Sequence, residues 1–247
     1  MKHFFIRKGN IPYGYGFPKD KNIDKYRPVV SYFKHPCKNA YKVVCKGIME
    51  CLKMITNDNK NNFVLWKTGD LLDVLKSKVD NLIRMYGNDS KLLVKAYDIK
   101  NFYTNLNHDE IRCAIKWLHD SLKLKYRNHK FININKKKDE KNVFIGNEMK
   151  NSDWLSLTLD NIEDLVNLDL DNTFFMIGDK VLKQKKGVPM GSPISPVLAI
   201  LVAAYYEYKF YMDSIDIEQI LLMVTVLDRW MILLLLVFMI KIILILI

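Results

Sequence analysis

One ten-residue stretch constrains the fold of this chain more than any other feature. Residues 187 to 196 read Gly-Val-Pro-Met-Gly-Ser-Pro-Ile-Ser-Pro, so two glycines and three prolines fall within ten positions. Proline fixes its own φ, and glycine adopts backbone angles closed to other residues. The stretch therefore has little freedom except to form one shaped main-chain surface. A plain turn would not need all of these residues together. The composition predicts a surface that a nucleotide base can approach closely.

Regular elements of both kinds are predicted around this stretch. Ser195 as N-cap and Pro196 at the first helical position predict a helix directly after it. Before it, residues 173–177 and 180–184 flank a Gly-Asp dipeptide and predict a β-hairpin. The mixture of patterns indicates an α+β fold.

The first part of the chain is predicted to hold two core-facing helices. Apolar residues at helical spacing mark one helix over Cys37–Ile55 and a second that Thr68 caps and that extends to Ile83. Residues 10–36, which precede them, are rich in Pro and Gly among aromatic residues, so an irregular or hairpin-forming opening is expected.

The middle of the chain reads as strand, loop and helix. The apolar run Leu92–Ile99 predicts a buried strand, and Asn107 is the predicted N-cap of the helix that follows. Residues from about 123 to about 153 are rich in Lys and Asn, so most of them are expected to form an exposed insertion.

The net charge favours a polyanionic partner. Lys and Arg number 38 against 27 Asp and Glu, a formal net charge of +11, for which nucleic acid is the leading candidate. A solvated basic surface is the alternative, and AT-rich coding sequence would raise the Lys count without any role in binding. The cysteines lack metal-ligand spacing and the start of the chain lacks an export signal, so an intracellular protein, nuclear or cytoplasmic, is expected.

Asp98 is a candidate metal ligand. Enzymes that transfer nucleotides use two divalent cations held by carboxylates, and an Asp at the mouth of a rigid strand can supply one of these ligands. Asp98 stands near the end of the predicted strand, and Tyr103 follows five residues later, where its ring could close over a nucleotide sugar. An ordinary loop aspartate or helix cap is the alternative interpretation of Asp98 by itself.

Three blocks of sequence resemble the reverse-transcriptase domain of retroelements, in the family's order. Arg27–Ser31 (RPVVS) is similar to its fingers motif, Tyr97–Leu106 (YDIKNFYTNL) to its first palm motif, and Gln184–Pro196 to its second. The pattern is nearest to non-LTR and Penelope-like elements and more distant from group II intron and telomerase enzymes. The resemblance implies a partial right-hand polymerase, with fingers-like residues 1–90, an incomplete palm over 91–215 and no thumb.

The resemblance also implies roles for single residues. Asp98 would bind Mg²⁺, and Tyr103 would act as a steric gate that selects the sugar. Arg27 would meet the triphosphate. Positioning of template or nucleotide would be shared by Gln184, Gly187, Pro189, Met190, Gly191 and Ser192. The implied partners are an RNA template, a DNA primer and deoxynucleoside triphosphates.

The sequence departs from the family at the third palm motif. That motif contains two adjacent aspartates, and no Asp-Asp pair occurs in this sequence. One carboxylate cannot hold two metal ions. The chain is therefore expected to be a polymerase fragment truncated before this motif and inactive as encoded. A noncatalytic nucleic-acid-binding remnant is the alternative function.

The apolar tail, residues 216–247, has two interpretations. From Trp230 to Ile247 only Lys241 is not apolar, which would suit a membrane anchor, although Asp228, Arg229 and Lys241 are costly at bilayer depth. The other interpretation, which we favour, is a shifted reading frame. Trp-Met-Ile is encoded TGG ATG ATN, and reading two bases later gives GAT GAT, which is Asp-Asp.

Overall fold

The computed structural model of the chain describes residues 5–19, 22–56, 64–65, 71–86, 92–99, 101–127, 130–136, 143–213, 224–230 and 239–246. The chain divides into two compact units. The first comprises Met1–Asp58 and Phe102–Val202, and the second comprises Asn59–Asn101 and Ala203–Ile247. The predicted boundaries of fingers and palm at residues 90 and 215 concern functional regions and stay a prediction.

Helices and strands alternate irregularly along the chain, as an α+β fold requires. The helices are α1 (Lys38–Thr56), α2 (Leu71–Tyr86), α3 (Phe102–Asn105), α4 (His108–Lys125), α5 (Leu159–Asp171) and α6 (Ser195–Asp213). The strands are β1 (Tyr13–Lys19), β2 (Asn22–Ser31), β3 (Val64–Leu65), β4 (Leu92–Asp98), β5 (Phe131–Asn135), β6 (Val143–Gly146), β7 (Trp154–Thr158), β8 (Phe174–Ile177), β9 (Lys180–Lys183), β10 (Val224–Trp230) and β11 (Met239–Leu246).

The core of the first unit lies where α1, α4 and α5 pack together with β5. Each helix contributes one apolar face, because its buried residues recur every three or four positions. On α1, Val44, Ile48 and Leu52 are fully or almost fully buried. The start of α6 is equally apolar, and Val197, Leu198 and Leu201 are inaccessible to solvent.

A four-stranded sheet in the order β2-β1-β8-β9 joins the beginning of the chain to the predicted hairpin. β1 and β2 pair antiparallel, with Tyr13 opposite Ser31 and Phe17 opposite Arg27, so the opening does form a hairpin. β8 and β9 form the second hairpin, and Gly178 in its turn has a φ of +56°. Tyr13 of β1 pairs with Met176 of β8 and links the two hairpins.

Most predicted helices are found within a few residues of their expected bounds. α1 and α4 match, and the Asn107 side chain accepts a hydrogen bond from the Asp109 N–H, as an N-cap does. α6 begins one residue earlier than predicted, because the Ile194 carbonyl already accepts the first helical hydrogen bond, from the Leu198 N–H. The predicted cap Thr68 lies outside the described residues.

The Lys- and Asn-rich segment contains a buried strand that the prediction of a mostly exposed insertion did not include. Residues 131–135 form β5, the central strand of a three-stranded sheet in the order β6-β5-β7. Ile132 and Ile134 are at most 1% exposed. They alternate with asparagines, and Asn133 satisfies its buried amide through the Asn147 carbonyl. The composition did not indicate this strand, because its few apolar residues alternate with polar ones. Residues 147–153 of the same segment are exposed, as predicted.

The second unit contains a sheet in the order β3-β10-β11-β4. β10 and β11 belong to the apolar tail. All of the predicted strand β4, from Leu92 to Asp98, pairs antiparallel with β11. The tail residues that the structure describes are therefore strands. Among the described residues, no helix combines the length and the apolar character needed to cross a membrane.

Burial of β5 against α1 predicts a large stability effect. Ile134 is fully buried, and its Cδ1 lies 2.8 Å from the point where Gly47 would carry a Cβ, which shows how closely strand and helix pack. Ile134→Ala should lower the free energy of unfolding by about 2 to 5 kcal/mol, measured by denaturant titration. Leu124→Ala removes the same number of carbons from a side chain that is 70% exposed and should change it by less than about 0.5 kcal/mol. Equal effects would place Ile134 outside the core.

Candidate nucleotide and nucleic-acid site

The loop Gly187–Ser192 is fixed to the residues around α3 by hydrogen bonds. The Gly187 N–H donates to the Leu106 carbonyl at 2.8 Å, and the Val188 N–H donates to the Tyr103 carbonyl at 2.7 Å. The imidazole of His108 lies 2.8 Å from the Gly187 carbonyl oxygen through its Nε2, which acts as the donor in this pair. The predicted first and second palm motifs are thus joined through their main chains.

Gly187 is required at its position for two separate reasons. Its φ is +76°, which side chains of L-residues rarely tolerate. A Cβ at this residue would also stand 2.5 Å from the Tyr103 carbonyl oxygen and 2.7 Å from the Thr104 Cα. Neither obstacle is a flexible side-chain end, so the loop could reach this segment only with glycine.

The other side of the loop is held by β2. The Val30 N–H donates a hydrogen bond to the Met190 carbonyl at 2.7 Å. Gly191 has a φ of +112°, and its missing Cβ would collide with the Val30 carbonyl oxygen. All three sequence blocks therefore meet at one loop. Gly187, Val188 and Pro189 are buried there, whereas Gly191 is exposed and offers its main chain to solvent.

Arg27 lies on the face of β2 that turns toward this loop. Val29 places its Cγ1 3.5 Å from the Cβ position of Gly191, and alternate residues of a strand share a face. Across the strand pair, Tyr15 is opposite Val29 and Phe17 is opposite Arg27. The sheet thus aligns Arg27 with a row of aromatic residues.

This row belongs to a surface that we call the aromatic face. Register places Tyr13, Tyr15 and Phe17 of β1 on the same side as Phe174 of β8, and their exposed fractions are 56%, 51%, 37% and 40%. The Lys183 Nζ lies 5.5 Å from the centre of the Phe174 ring. The strands of the sheet carry five basic residues, Lys19, Lys25, Arg27, Lys180 and Lys183, against one acid, Asp24.

Tyr103, the predicted sugar gate, is a largely buried residue of α3. Its side chain is 6% exposed, and its hydroxyl has no hydrogen-bond partner within the described part of the chain. Burial raises the pKa of Tyr103, so the phenol stays neutral. Its carbonyl holds the loop through Val188, and the residue therefore joins the loop to α3 whatever its hydroxyl contacts.

Gln184, the first residue of the second palm block, closes the β8–β9 hairpin. Its N–H donates to the Thr173 carbonyl, and its own carbonyl accepts a hydrogen bond of 2.6 Å from the Thr173 hydroxyl. Its side-chain amide donates to the Lys186 carbonyl at 3.0 Å. Gln184 thereby orders the connection that leads into the loop.

Asp98, the predicted metal ligand, ends β4 and is assigned to the second unit, whereas the other predicted site residues are assigned to the first. Register sets Asp98 level with Ile240 of β11, and Ile240 level with Arg229 of β10. Asp228 pairs one position away, with Lys241. The register therefore pairs Asp98 and Asp228 with neighbouring positions of β11, Ile240 and Lys241.

A buried polar cluster behind the loop escaped the sequence analysis. Asp169 of α5 is 2% exposed, and burial raises its pKa to about 7. The Tyr41 hydroxyl of α1 lies near this carboxyl and lowers its pKa, against the larger effect of burial. A signal existed, because Asp169 falls among Ile162, Leu165, Val166 and Leu170 on the apolar face of a helix. His108 carried no such signal, since its role depends on a contact 79 residues away.

The chain has a fold of the reverse-transcriptase type, shared with solved structures of telomerase, a polymerase related to reverse transcriptases. Telomerase of Candida albicans, in complex with the TWJ fragment of telomeric RNA, superposes with a TM-score of 0.68 at 13% identity, over 97% of this chain and 38% of that one.

Telomerase of Candida tropicalis in its apo form superposes with a TM-score of 0.67 at 15% identity, over 97% of this chain and 40% of the other. The apo enzyme of the same organism, truncated from its C-terminal domain, superposes with a TM-score of 0.64 at 12% identity, over 98% of this chain and 45% of the other. The chain thus spans less than half the length of these telomerases. The likeness concerns the fold and does not single out a retroelement enzyme. No protein-family model and no curated protein sequence matches the chain.

The geometry of Gly187 predicts a stability cost with an internal control. Gly187→Ala adds a Cβ at a positive φ and against main-chain atoms, so we expect a loss of about 3 kcal/mol or more in unfolding free energy. Gly178→Ala meets a positive φ of +56° but nothing within 4 Å, and should cost about 1 kcal/mol. Thermal or urea unfolding measures both. A Gly187 variant no less stable than the Gly178 variant would contradict the close approach to Tyr103.

Proposed function

We propose that this chain is a fragment of an RNA-directed DNA polymerase of the reverse-transcriptase kind, derived from a retroelement, and that as encoded it binds nucleic acid without extending a primer. The observation that carries the proposal is the loop Gly187–Ser192, held between Tyr103 and Val30 by main-chain hydrogen bonds. Rigid main chain beside exposed Gly191 lets a base or sugar approach without a side chain in the way.

Chemically suitable groups surround this loop. Arg27 shares the face of Val29, which contacts the Gly191 position, so its guanidinium is a suitable partner for a triphosphate. Tyr103 carries a hydroxyl unpartnered among the described residues beside the same loop. In this proposal Tyr103 limits the space next to the sugar, and Gln184 keeps the loop in register with the β8–β9 hairpin.

The aromatic face supports binding of a nucleic-acid strand. Bases stack on exposed aromatic rings irrespective of their sequence, and neighbouring cations attract the phosphates. Tyr13, Tyr15 and Phe17 offer the rings on β1, while Arg27 and Lys183 offer charge on the same side of the sheet. An RNA template or the primer strand is the class of ligand that fits this combination.

Mg²⁺, the cofactor of the parent family, does not fit the residues present. Two ions need several carboxylates, and the described residues contain no group of three or more His, Cys, Asp or Glu side chains that could hold a metal. Asp98 is the sole carboxylate of the matching motifs, and the sequence has no Asp-Asp pair. We therefore derive no catalytic step, and the proposed activity is binding.

Binding should be dominated by electrostatics and should not be followed by extension. We expect the chain to bind a labelled RNA–DNA primer–template with an affinity that falls steeply as salt rises, because counterions leave the phosphates. Lys183→Glu should weaken binding to primer–templates of any base sequence. It should also reduce the slope of log affinity against log salt concentration by about 1. Fluorescence anisotropy at several salt concentrations measures both effects, and a primer-extension assay with Mg²⁺ and deoxynucleoside triphosphates should give no product.

The matched control is Lys150→Glu, which makes the same charge change at an exposed site remote from the aromatic face in sequence. It should alter affinity less than Lys183→Glu. Equal losses would show that only net charge matters, and salt-independent affinity would refute the proposal. A primer-extension product would refute the proposal that the chain is inactive and would leave the proposed binding unaffected.

The proposed retroelement origin includes a shifted frame in the tail. We expect the gene to stay open two bases on from the present frame, and to encode a Tyr or Phe two residues before the Asp-Asp that replaces Trp230-Met231-Ile232. A short apolar strand and a basic helical segment should follow. Sequencing the DNA tests this directly, since early closure of that frame without the aromatic residue would make the Asp-Asp a coincidence.

A further inference from the structure

Four polar side chains from different parts of the first unit meet behind the loop Gly187–Ser192. They are Tyr32, which follows β2, Tyr41 of α1, Asp169 of α5 and Ser192 at the end of the loop, and all four are at most 4% exposed. Buried polar groups cost free energy unless they are paired. Their joint burial at this point therefore calls for a physical reason.

The side chains form a chain of contacts from the carboxyl to the loop. The Tyr41 hydroxyl lies near the Asp169 carboxyl and lowers its pKa, while Oδ2 of that carboxyl has no hydrogen-bond partner among the described residues. The rings of Tyr32 and Tyr41 lie 6.5 Å apart. Tyr32 in turn adjoins the Ser192 side chain, whose buried hydroxyl lacks a bonded partner by the geometry of the described residues.

No cation compensates the carboxyl in this cluster of described residues. The titratable groups that its charge acts on are Tyr32, Cys37 and Tyr41, and the negative charge raises the pKa of each. His35 packs its ring 4.4 Å from Tyr32 and 5.7 Å from Tyr41, and burial lowers its pKa, which disfavours its charged form. Among these neighbours only the Tyr41 hydroxyl favours the carboxylate form, and none supplies the positive charge that would stabilise it.

The sign of the pH effect follows from the raised pKa. Because burial raises the pKa of Asp169 to about 7, the folded chain keeps a proton that the unfolded chain loses near pH 4. The stability linked to this proton is fully present below the unfolded value and is lost as pH rises through about 7. Above that value the cluster must hold an anion for which it has one visible donor, Tyr41.

We propose that Asp169 is a positioning residue for the loop Gly187–Ser192, acting through Tyr41 and Tyr32 on Ser192, and that ionisation of its carboxyl loosens the loop and weakens nucleic-acid binding. The last clause rests on the proposed function, whereas the effect on the loop does not. An ionised carboxylate attracts the phenol hydroxyls and water, which draws Tyr32 away from Ser192 and removes the support of the loop from behind.

Tryptic cleavage reports on the loop without any nucleic acid. Lys186 is exposed immediately before Gly187, and Lys150 is an exposed reference site. The ratio of cleavage after Lys186 to cleavage after Lys150 cancels the pH dependence of trypsin itself. For the wild-type chain we expect this ratio to rise about threefold or more from about pH 6 to about pH 8. Asp169→Asn, a neutral isostere, should keep the ratio flat and low.

The control is Asp164→Asn, which removes the same charge from an exposed position of α5 and should behave as wild type. If Asp169→Asn does not fold, Tyr41→Phe decides instead. Loss of its hydroxyl removes the one bond that favours the anion, so the midpoint of the rise should move to higher pH. A flat wild-type ratio, a rise retained in Asp169→Asn, or an unmoved midpoint in Tyr41→Phe would overturn the proposal.

Affinity for the primer–template, measured at one low salt concentration over the same pH range, separates the two proposals. We expect the wild-type affinity to fall about threefold or more as pH rises, and that of Asp169→Asn to stay constant. Absence of binding at every pH, with the cleavage ratio still changing, would refute the proposed function and leave Asp169 as a positioning residue. Binding with no pH dependence in either measurement would refute the role of Asp169 alone.

Discussion

The main-chain hydrogen bonds of the loop Gly187–Ser192 are the constraint on which the candidate site depends. They join the loop to α3 through Tyr103 and Leu106 and to β2 through Val30. These hydrogen bonds require the main chain of the loop to approach the main chains of its neighbours closely. A Cβ at Gly187 or Gly191 would prevent that approach. The glycines therefore build the site by letting three distant segments touch, and the prolines limit the loop to the one conformation in which they do.

The support of the loop differs on its two sides. Toward α4, His108 contributes a side-chain hydrogen bond to the Gly187 carbonyl. Tyr32 lies beside Ser192 and Tyr41, and the Tyr41 hydroxyl lies near the buried carboxyl of Asp169. A buried carboxyl with few donors is a costly component of a core. In our proposal this carboxyl acts on the loop Gly187–Ser192, and its proton alters the loop from within.

In the proposed function, binding and catalysis have different electrostatic requirements. The aromatic face and its basic residues belong to one sheet, so the nucleic-acid binding that we propose draws on the residues of that sheet. Phosphoryl transfer also needs carboxylates grouped around metal ions. In the second unit, Asp98 is level with Arg229, and Asp228 is level with Lys241 and Tyr97. The three sequence blocks that resemble polymerase motifs contain one carboxylate, Asp98.

The sequence by itself determined the local elements and the composition of the loop. Apolar spacing marked α1 and α4, the Gly-Asp turn marked the β8–β9 hairpin, and the glycines and prolines of residues 187–196 marked the site, because each signal acts within a few residues. Tertiary structure decided the rest. The strand β5, the bond from His108 to Gly187 and the burial of Asp169 arise between segments far apart in sequence. The free energies of these contacts depend on which surfaces are buried against each other. A local sequence pattern does not contain that information.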